Sequence, residues 1–160
     1  MHPLDFFDEI VAHRETLLSC FEQAEPVAFH EPLWADTWSC EHYFRHLLAG
    51  MKWMVDAIPS VDPVDYHPLA VLARDRPRAR VPYRHVQRTL ERVTRQARAY
   101  LARLTPDEWA APARNAPGLT VEGCVVGLLE HEIEHHGMIR WILKRYTNWD
   151  DNEMYGAEVP

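Results

Sequence analysis

Near the end of the chain, the sequence reads His131-Glu132-Ile133-Glu134-His135-His136-Gly137. This stretch belongs to a long segment in which apolar residues recur at helical spacing, and two imidazoles four residues apart on a helix lie on one face. The predicted inward face of this helix consists of Val121, Cys124, Val125, Leu128, His131, His135, Met138, Ile139 and Ile142. Two histidines therefore occupy positions where leucine or valine is expected. Because unpaired buried imidazoles are costly, the simplest explanation is one metal ion that both bind.

Three more long amphipathic helices precede this one. From the apolar periodicity we predict them over Pro3–Gln23, Ser39–Ile58 and Pro82–Leu104. Thr105-Pro106-Asp107-Glu108 is a capping-box pattern, which predicts a short helix carrying Trp109. Thr120 is the predicted cap of the last helix, which extends to about Tyr146.

The connections suggest how these helices are arranged. Pro26 and Pro32 interrupt the chain between the first and second helices, and residues 59–80 contain four prolines. We predict residues 59–80 to be a long crossover with one helical turn around Leu69–Arg74. No segment alternates as a strand does, so we expect an all-α fold, with residues 1–160 forming a single four-helix bundle. The long link between helices two and three permits an up-down-down-up order, in which the second and last helices face each other.

The composition excludes several classes of protein. Hydrophobic residues make up 47% of the chain and charged residues 26%, as in globular proteins. The amino terminus is acidic, which argues against a secretory signal, and no apolar run approaches the ~18 residues of a membrane span. Cys20, Cys40 and Cys124 are few and far apart, as in a reducing compartment. We therefore expect a cytoplasmic protein that does not contact membranes.

A basic segment lies within this acidic chain, whose net charge is -7. Between Arg74 and Arg103 ten arginines stand against Asp75 and Glu91. No aromatic-basic pattern accompanies them, so nucleic-acid binding is disfavoured. A solvated helix face paired with acidic neighbours, or a subunit contact, is the favoured interpretation.

The second helix is the best source of a third ligand, because catalytic metal sites commonly have three protein ligands and an open position. Its predicted inward face consists of Tyr43, His46, Leu47, Gly50, Met51 and Met54. His46 again takes the place of a core hydrophobe. His42, one turn earlier, is the competing candidate, although its flanks look closer to the surface. His136 is about 100° around the last helix from His135 and is predicted to lie apart from the site.

Two motifs resemble a known family. Trp38-Ser39-Cys40-Glu41-His42-Tyr43-Phe44-Arg45-His46-Leu47 resembles the second-helix signature of the DinB-like (damage-inducible) metal-binding superfamily, in which a Trp-Ser pair precedes a ligand histidine followed by leucine. The stretch from His131 to Ile139 resembles the last-helix signature, two histidines four apart before a glycine. The resemblance covers both motifs, their order and the four-helix outline.

The resemblance implies a site and a chemistry. It makes His46, His131 and His135 the ligands of a divalent metal, commonly zinc or nickel, in a protein that is often a homodimer. It implies a metal-dependent transferase that uses a low-molecular-weight thiol, or a hydrolase, acting on a small molecule. His136 stands where arginine is frequent in the family, and Met138 where glutamine is frequent. These departures fall where relatives contact substrate.

Other residues are candidates for supporting roles. Arg45 and Arg140 are the arginines nearest the predicted ligands and are candidates to bind carboxylates of a thiol cofactor, although both also fit a surface position. Cys124 fits a small core residue better than a ligand or nucleophile. Trp53, Trp109 and Trp149 are the aromatic residues we expect to be exposed at a dimer contact.

Two further functional hypotheses use the same histidines. His131-Glu132-Ile133-Glu134-His135 satisfies H-E-x-x-H, which predicts a zinc peptidase with Glu132 as general base. Against it, the extended motif requires glycine and histidine where Met138 and Trp141 stand, and only acidic residues of the tail remain as a downstream ligand. The other hypothesis is a non-catalytic metal-binding protein of the stress response, which predicts the same ligands without an organised pocket.

Overall fold

Six helices are present in the computed structural model, which describes residues 2–22, 24, 26–62, 68–72 and 74–146. The four long helices are α1 (Pro3–Ser19), α3 (Cys40–Asp56), α4 (Tyr83–Leu101) and α6 (Val121–Tyr146), and the two short ones are α2 (Pro26–His30) and α5 (Pro106–Ala110). A 3-10 turn, Cys20–Glu22, follows α1. The described residues form no strand, only an isolated antiparallel bridge between Pro112 and Thr120. The all-α prediction is confirmed.

The helices begin where the sequence supplies capping side chains. Ser39 Oγ accepts a hydrogen bond from the His42 amide at 3.2 Å, and Thr120 Oγ1 accepts one from the Gly123 amide at 3.0 Å. Thr105 and Glu108 form the reciprocal capping box at the start of α5. Each contact satisfies an amide that has no partner inside its own helix. The predicted starts of α3, α5 and α6 are therefore confirmed to within a residue.

The connections differ from the predictions at three places. Helix α1 ends at Ser19, and the predicted end at Gln23 lies outside the described residues. Pro26 does not merely interrupt the chain, because it begins α2, as suits a proline in a first helical turn. The predicted helical turn around Leu69–Arg74 is wrong for the part of it that the structure describes.

Helix α3 explains the extended course of that link. The Arg45 guanidinium donates to the Leu69 carbonyl at 2.9 Å, and the Val71 amide donates to the Arg45 carbonyl at 3.3 Å. The Val71 carbonyl in turn lies 3.3 Å from His46 Nδ1. The Leu69 carbonyl and the Val71 amide and carbonyl, which would be hydrogen-bonded to neighbouring residues within a helical turn, are thus bound to α3. This tether brings the link against the end of the bundle face that carries His46.

The four long helices pack in a ring. Helix α1 contacts α4 and α6, and α3 also contacts α4 and α6. The second and last long helices therefore face each other, as predicted. The up-down-down-up order of helix directions stays a prediction. It is consistent with the two large core clusters, because α1 and α6 contribute to them in the opposite order along the chain from α3 and α4.

The core of the described residues consists of two large apolar clusters with polar side chains between them, and a small third cluster of Ala57, Ala113 and Cys124. One large cluster is centred on Phe21, Phe29 and Phe44, and the other contains Met54 and Val125. Helices α1, α4 and α6 each contribute residues to both large clusters, and between these contributions lie buried polar side chains: Arg14, Thr94, Glu132, His135 and His136. The candidate site is built from this polar layer.

The tryptophans that were predicted to be exposed at a dimer contact differ in their exposure to solvent. Trp53 is 46% exposed, as predicted, whereas Trp109 is only 6% exposed, so its predicted exposure is wrong. Trp109 lies in the apolar cluster around Met54, because α5 folds onto α6. Trp149 lies outside the described residues.

Among the residues that the structure describes, none of the helices combines the length and the apolar character required to cross a bilayer.

The aromatic cluster predicts a large effect of truncating Phe44. Its side chain is fully buried and contacts the rings of Phe21 and Phe29, with ring centroids 5.9 and 6.2 Å away. We expect Phe44→Ala to lower the free energy of unfolding by about 3–5 kcal/mol in urea titrations, because the cavity left behind adds to the lost burial. Trp34→Ala is the control, since Trp34 is 63% exposed, and a comparable loss there would contradict this description of the core.

Candidate metal centre

Three histidine side chains from two helices converge on one point. His46 comes from α3, and His131 and His135 from α6. Each offers a ring nitrogen, and these nitrogens all lie within 4.8 Å of one another. The Nε2 of His131 is 3.4 Å from that of His46 and 3.0 Å from that of His135. Two imidazoles bound tetrahedrally to zinc at ~2.0–2.1 Å have nitrogens ~3.3 Å apart, so the cluster fits a single ion.

Hydrogen bonding alone does not satisfy this cluster. The Val71 carbonyl can only accept, so His46 Nδ1 carries the proton and its Nε2 presents a lone pair to the other histidines. His131 Nε2 meets two imidazole nitrogens, but a neutral ring nitrogen has one proton or one lone pair, not both. A metal ion accepts lone pairs from all three rings at once. The carbonyl behind His46 also orients the ring, as partners of metal-bound histidines commonly do.

The surroundings keep two of these rings neutral. Burial lowers the pKa of His135 to about 3, and the neighbouring His131 and His46 add to the effect. Burial also lowers the pKa of His46, although its hydrogen bond to Val71 acts in the opposite direction. Near neutral pH both rings therefore carry the lone pair that a metal requires.

Trp38 closes the cluster on one side. Its indole stacks on the His42 ring, with centroids 4.0 Å apart and planes 3° apart. It also lies 5.3 Å from the His46 ring and 5.8 Å from the His135 ring. His42 is thus held as a stacking partner of Trp38 and is not among the three residues that converge. The predicted surface position of its flanks is wrong, because Glu41, His42 and Tyr43 are all buried.

The buried face of α6 is shifted from the predicted one. Glu132 and His136 are almost completely buried, whereas the His131 side chain is 48% exposed and Leu128 is half-buried. His131 therefore lies at the edge of the buried face, with His135 inside it. Sequence patterning missed Glu132 because charged side chains are expected outside the core. The sequence feature that could have indicated a buried carboxylate is Arg14, which falls at an inward position of α1 between Ile10 and Leu17.

A buried ion pair accounts for the shift. Arg14 Nη1 donates to Glu132 Oε1 at 2.9 Å, and Arg14 Nη2 donates to Thr94 Oγ1 at 2.5 Å. His136 Nε2 lies 3.2 Å from the same Glu132 oxygen. Burial raises the pKa of Glu132, but Arg14 and His136 lower it more, so the pKa ends below its usual value. The residue after the first α6 histidine is thus an ionised carboxylate bound to α1.

Comparison with known families agrees with this geometry. The family model of the DinB superfamily matches residues 8–139, a span that includes all three converging histidines. The chain belongs to the DinB superfamily. No curated protein and no solved structure matches the chain.

The two arginines named as candidates do not line this DinB site. Arg45 is buried and binds Glu41 Oε1 at 2.9 Å, besides the Leu69 carbonyl, so a surface position is wrong for it. Arg140 is half-buried and donates to His13 Nε2 at 2.5 Å, on the side of α6 that faces α1. Neither is on the wall of the cavity beside the histidines. Arg45 instead fixes the link whose Val71 carbonyl orients His46.

Part of the basic segment is paired with acidic residues. Arg98 of α4 forms a bidentate ion pair with the Asp8 carboxylate of α1, with donor–acceptor distances of 2.6 and 2.7 Å. Arg80 forms an ion pair with Glu31. Arg76 donates to backbone carbonyls that follow α2. These contacts agree with a solvated face paired with acidic neighbours.

A cavity of about 280 Å³ opens beside the histidines. We call it the triad cavity, because His46 and His131 form part of its wall. The rest of the wall comes mainly from α3 and α6, with Leu72 contributed by the link between α3 and α4. The histidine cluster of this DinB protein therefore borders a cavity that has the volume of a compact small molecule. Cys124 is not on this wall and is buried, as expected of a small core residue.

The ion pair predicts a large effect of Arg14→Met. The substitution would leave the Glu132 carboxylate buried without its cationic partner, so we expect the free energy of unfolding to fall by about 3–5 kcal/mol. The double variant Arg14→Met/Glu132→Leu should recover most of the loss. Arg98→Met is the control, since its pair with Asp8 is solvent-exposed and should contribute little to stability. Equal losses in urea titrations of the two single variants would contradict the structural role given to Arg14.

A pH dependence follows from His13. Burial, with His136 and Arg140 nearby, lowers its pKa from 6.5 to about 4, while Glu132 partly opposes this. Between these two values the unfolded chain binds a proton that the folded protein does not, so His13 makes stability fall as pH decreases through this window.

Urea titrations of metal-free protein test this dependence. Because one proton is involved, wild type should lose at most about 1.4 kcal/mol per pH unit more than His13→Gln between pH 6.5 and 4. Parallel stability curves for the two proteins over that range would show that His13 is not held neutral by the fold.

Proposed function

We propose that this protein binds one divalent metal ion through His46, His131 and His135 and uses it to catalyse a transfer or hydrolysis reaction on a small molecule. Transfer involving a low-molecular-weight thiol is the reaction we favour. The observation that carries the proposal is the convergence of three Nε2 atoms, at least two of them on rings that the fold keeps neutral. Neutral imidazoles suit zinc and nickel, of which we propose zinc first.

A bound metal would supply an activated water or a bound thiolate. The residues of the chain would do the remaining work. The Val71 carbonyl holds the proton of His46 on Nδ1, so that Nε2 faces the other rings. Trp38 and Tyr43, whose rings lie 5.8 and 5.2 Å from that of His135, keep water from that side of the cluster. The triad cavity then supports entry of the small molecule from the other side.

The peptidase hypothesis is weakened by the surroundings of Glu132. In an H-E-x-x-H peptidase this glutamate takes the proton from metal-bound water. Here one carboxylate oxygen is bound by Arg14 and His136, and the pKa of the group lies below its usual value, which suits a poor proton acceptor. The described residues also form no strand that could hold an extended peptide by edge pairing. The acidic residues of the tail lie outside the part of the chain that is described.

The triad cavity favours catalysis over simple metal binding. A non-catalytic bundle was expected to lack an organised pocket, whereas here a cavity shares two of the three histidines with the cluster. We further propose that the protein acts in the cytoplasm, with which its three buried free cysteines are compatible, and that it forms a homodimer to which the exposed Trp53 contributes.

Metal analysis of purified variants tests the ligand set. We expect wild type to bind one equivalent of zinc, and His46→Ala, His131→Ala or His135→Ala to weaken binding by more than about 100-fold, beyond the 10–100-fold typical of residues that only support a ligand. His42→Ala is the matched control from the same helix and should keep one equivalent. Full zinc content in His46→Ala together with loss in His42→Ala would exchange the roles of these two residues.

A further inference from the structure

The triad cavity has a wall that is unlike a binding site for a charged thiol cofactor. We propose that it binds an uncharged small molecule with an apolar body and discriminates against anionic ligands of the same shape. This inference rests on the proposed function only in that the head group of the ligand, a thiol, would reach the metal held by the histidines. The selection by charge and polarity belongs to the cavity itself.

The wall is apolar apart from three side chains. Met51 and Met54 are buried in its floor, and Trp53 and Leu72 lie at its exposed edge. Trp53 is 46% exposed and Leu72 40% exposed, so both present apolar surface to solvent at the cavity. Methionine side chains adapt to apolar ligands of irregular shape. The volume of about 280 Å³ is near the lower end of the ~300–1,000 Å³ of ligand pockets, so a compact molecule is expected.

The polar side chains of the wall do not favour an anion. They are His46 and His131 of the metal site and Glu132, and no lysine or arginine from the described residues joins them. The Glu132 carboxylate is 1% exposed, its Oε1 is already paired with Arg14 at 2.9 Å, and its Oε2 has no hydrogen-bond partner among the described residues. A carboxylate placed in this cavity would lose its hydration without gaining a cationic side chain as a partner. A neutral ligand avoids this cost.

Gly50 offers a way to fill the cavity without disturbing the fold. It lies on the wall one turn after His46, and a Cβ added there would meet no atom within 4 Å. A larger side chain at this position would therefore occupy the space of the ligand. Glycine inside a helix is also destabilising relative to residues with a side chain, so the substitution should not weaken α3. Gly127 of α6 is a matched control, because it too has open space and is not on the wall.

Calorimetric titration with two thiols of equal shape tests the proposal. The probes are para-nitrobenzyl mercaptan and its para-carboxylate analogue, which share the thiol and the ring and end in a neutral nitro group or in a charged carboxylate of the same planar shape. With zinc-loaded protein we expect the neutral thiol to bind at least about 30-fold more tightly, because the carboxylate would be buried without a partner. Gly50→Leu should weaken binding of the neutral thiol at least about 10-fold while zinc stoichiometry stays at wild-type level. Gly127→Leu should change neither value.

The outcomes separate this inference from the proposed function. Equal or tighter binding of the carboxylate, or unchanged binding of the neutral thiol in Gly50→Leu, would overturn the inference while leaving the metal site intact. Failure of wild type to bind zinc would instead overturn the proposed function. The same pair of probes titrated into metal-free protein would then decide the inference alone. Preference for the neutral probe that Gly50→Leu removes would support it, and no preference, or no binding of either probe, would overturn it.

Discussion

The packing of α3 against α6 is the contact on which the candidate site depends. It brings the His46 ring to that of His131, 85 positions later in the chain, with Nε2 atoms 3.4 Å apart. The three imidazoles lie at the border between the two helices, where one ring is half exposed and another is buried. Such a position allows ligand access from one side and keeps water away on the other. Any change in the relative position of α3 and α6 by more than a fraction of an ångström would alter the distances that suit one ion.

The buried polar layer next to this contact explains how α6 is held. Arg14 of α1 binds Glu132, which directly follows His131 and comes three residues before His135. Rotation of α6 about its axis would pull this carboxylate away from its cation in a region that water does not reach, which is strongly unfavourable. On the other side, Arg45 holds the link between α3 and α4, and that link provides the Val71 carbonyl behind His46. Arg14 and Arg45 do not line the cavity, but they position Glu132 and His46, which do.

Local rules were sufficient for much of the fold. Apolar periodicity located the four long helices, and the hydroxyl groups of Ser39, Thr105 and Thr120 marked where three helices begin, since both depend on residues within a few positions of each other. The same periodicity placed His46, His131 and His135 near the core, and the family resemblance grouped them. The structure brings these three together.

Features that depend on distant parts of the chain were not accessible in this way. The burial of Glu132 requires Arg14, 118 positions earlier, and periodicity alone assigns a charged residue to solvent. Trp109 is buried because a short helix folds onto α6, and Leu72 joins the cavity because Arg45 tethers its link to α3. Each outcome follows from a tertiary contact, so no local pattern could have predicted it.

X-ray absorption spectroscopy at the zinc edge of the loaded protein tests the central claim most directly. If His46, His131 and His135 hold the ion, the first coordination shell must contain three imidazole nitrogens at about 2.0–2.1 Å, with the multiple scattering of histidine rings and one further light atom. Substitution of His46 should reduce the imidazole count. A sulfur shell near ~2.3 Å in the absence of added thiol, or a spectrum with fewer than three imidazoles, would contradict the account.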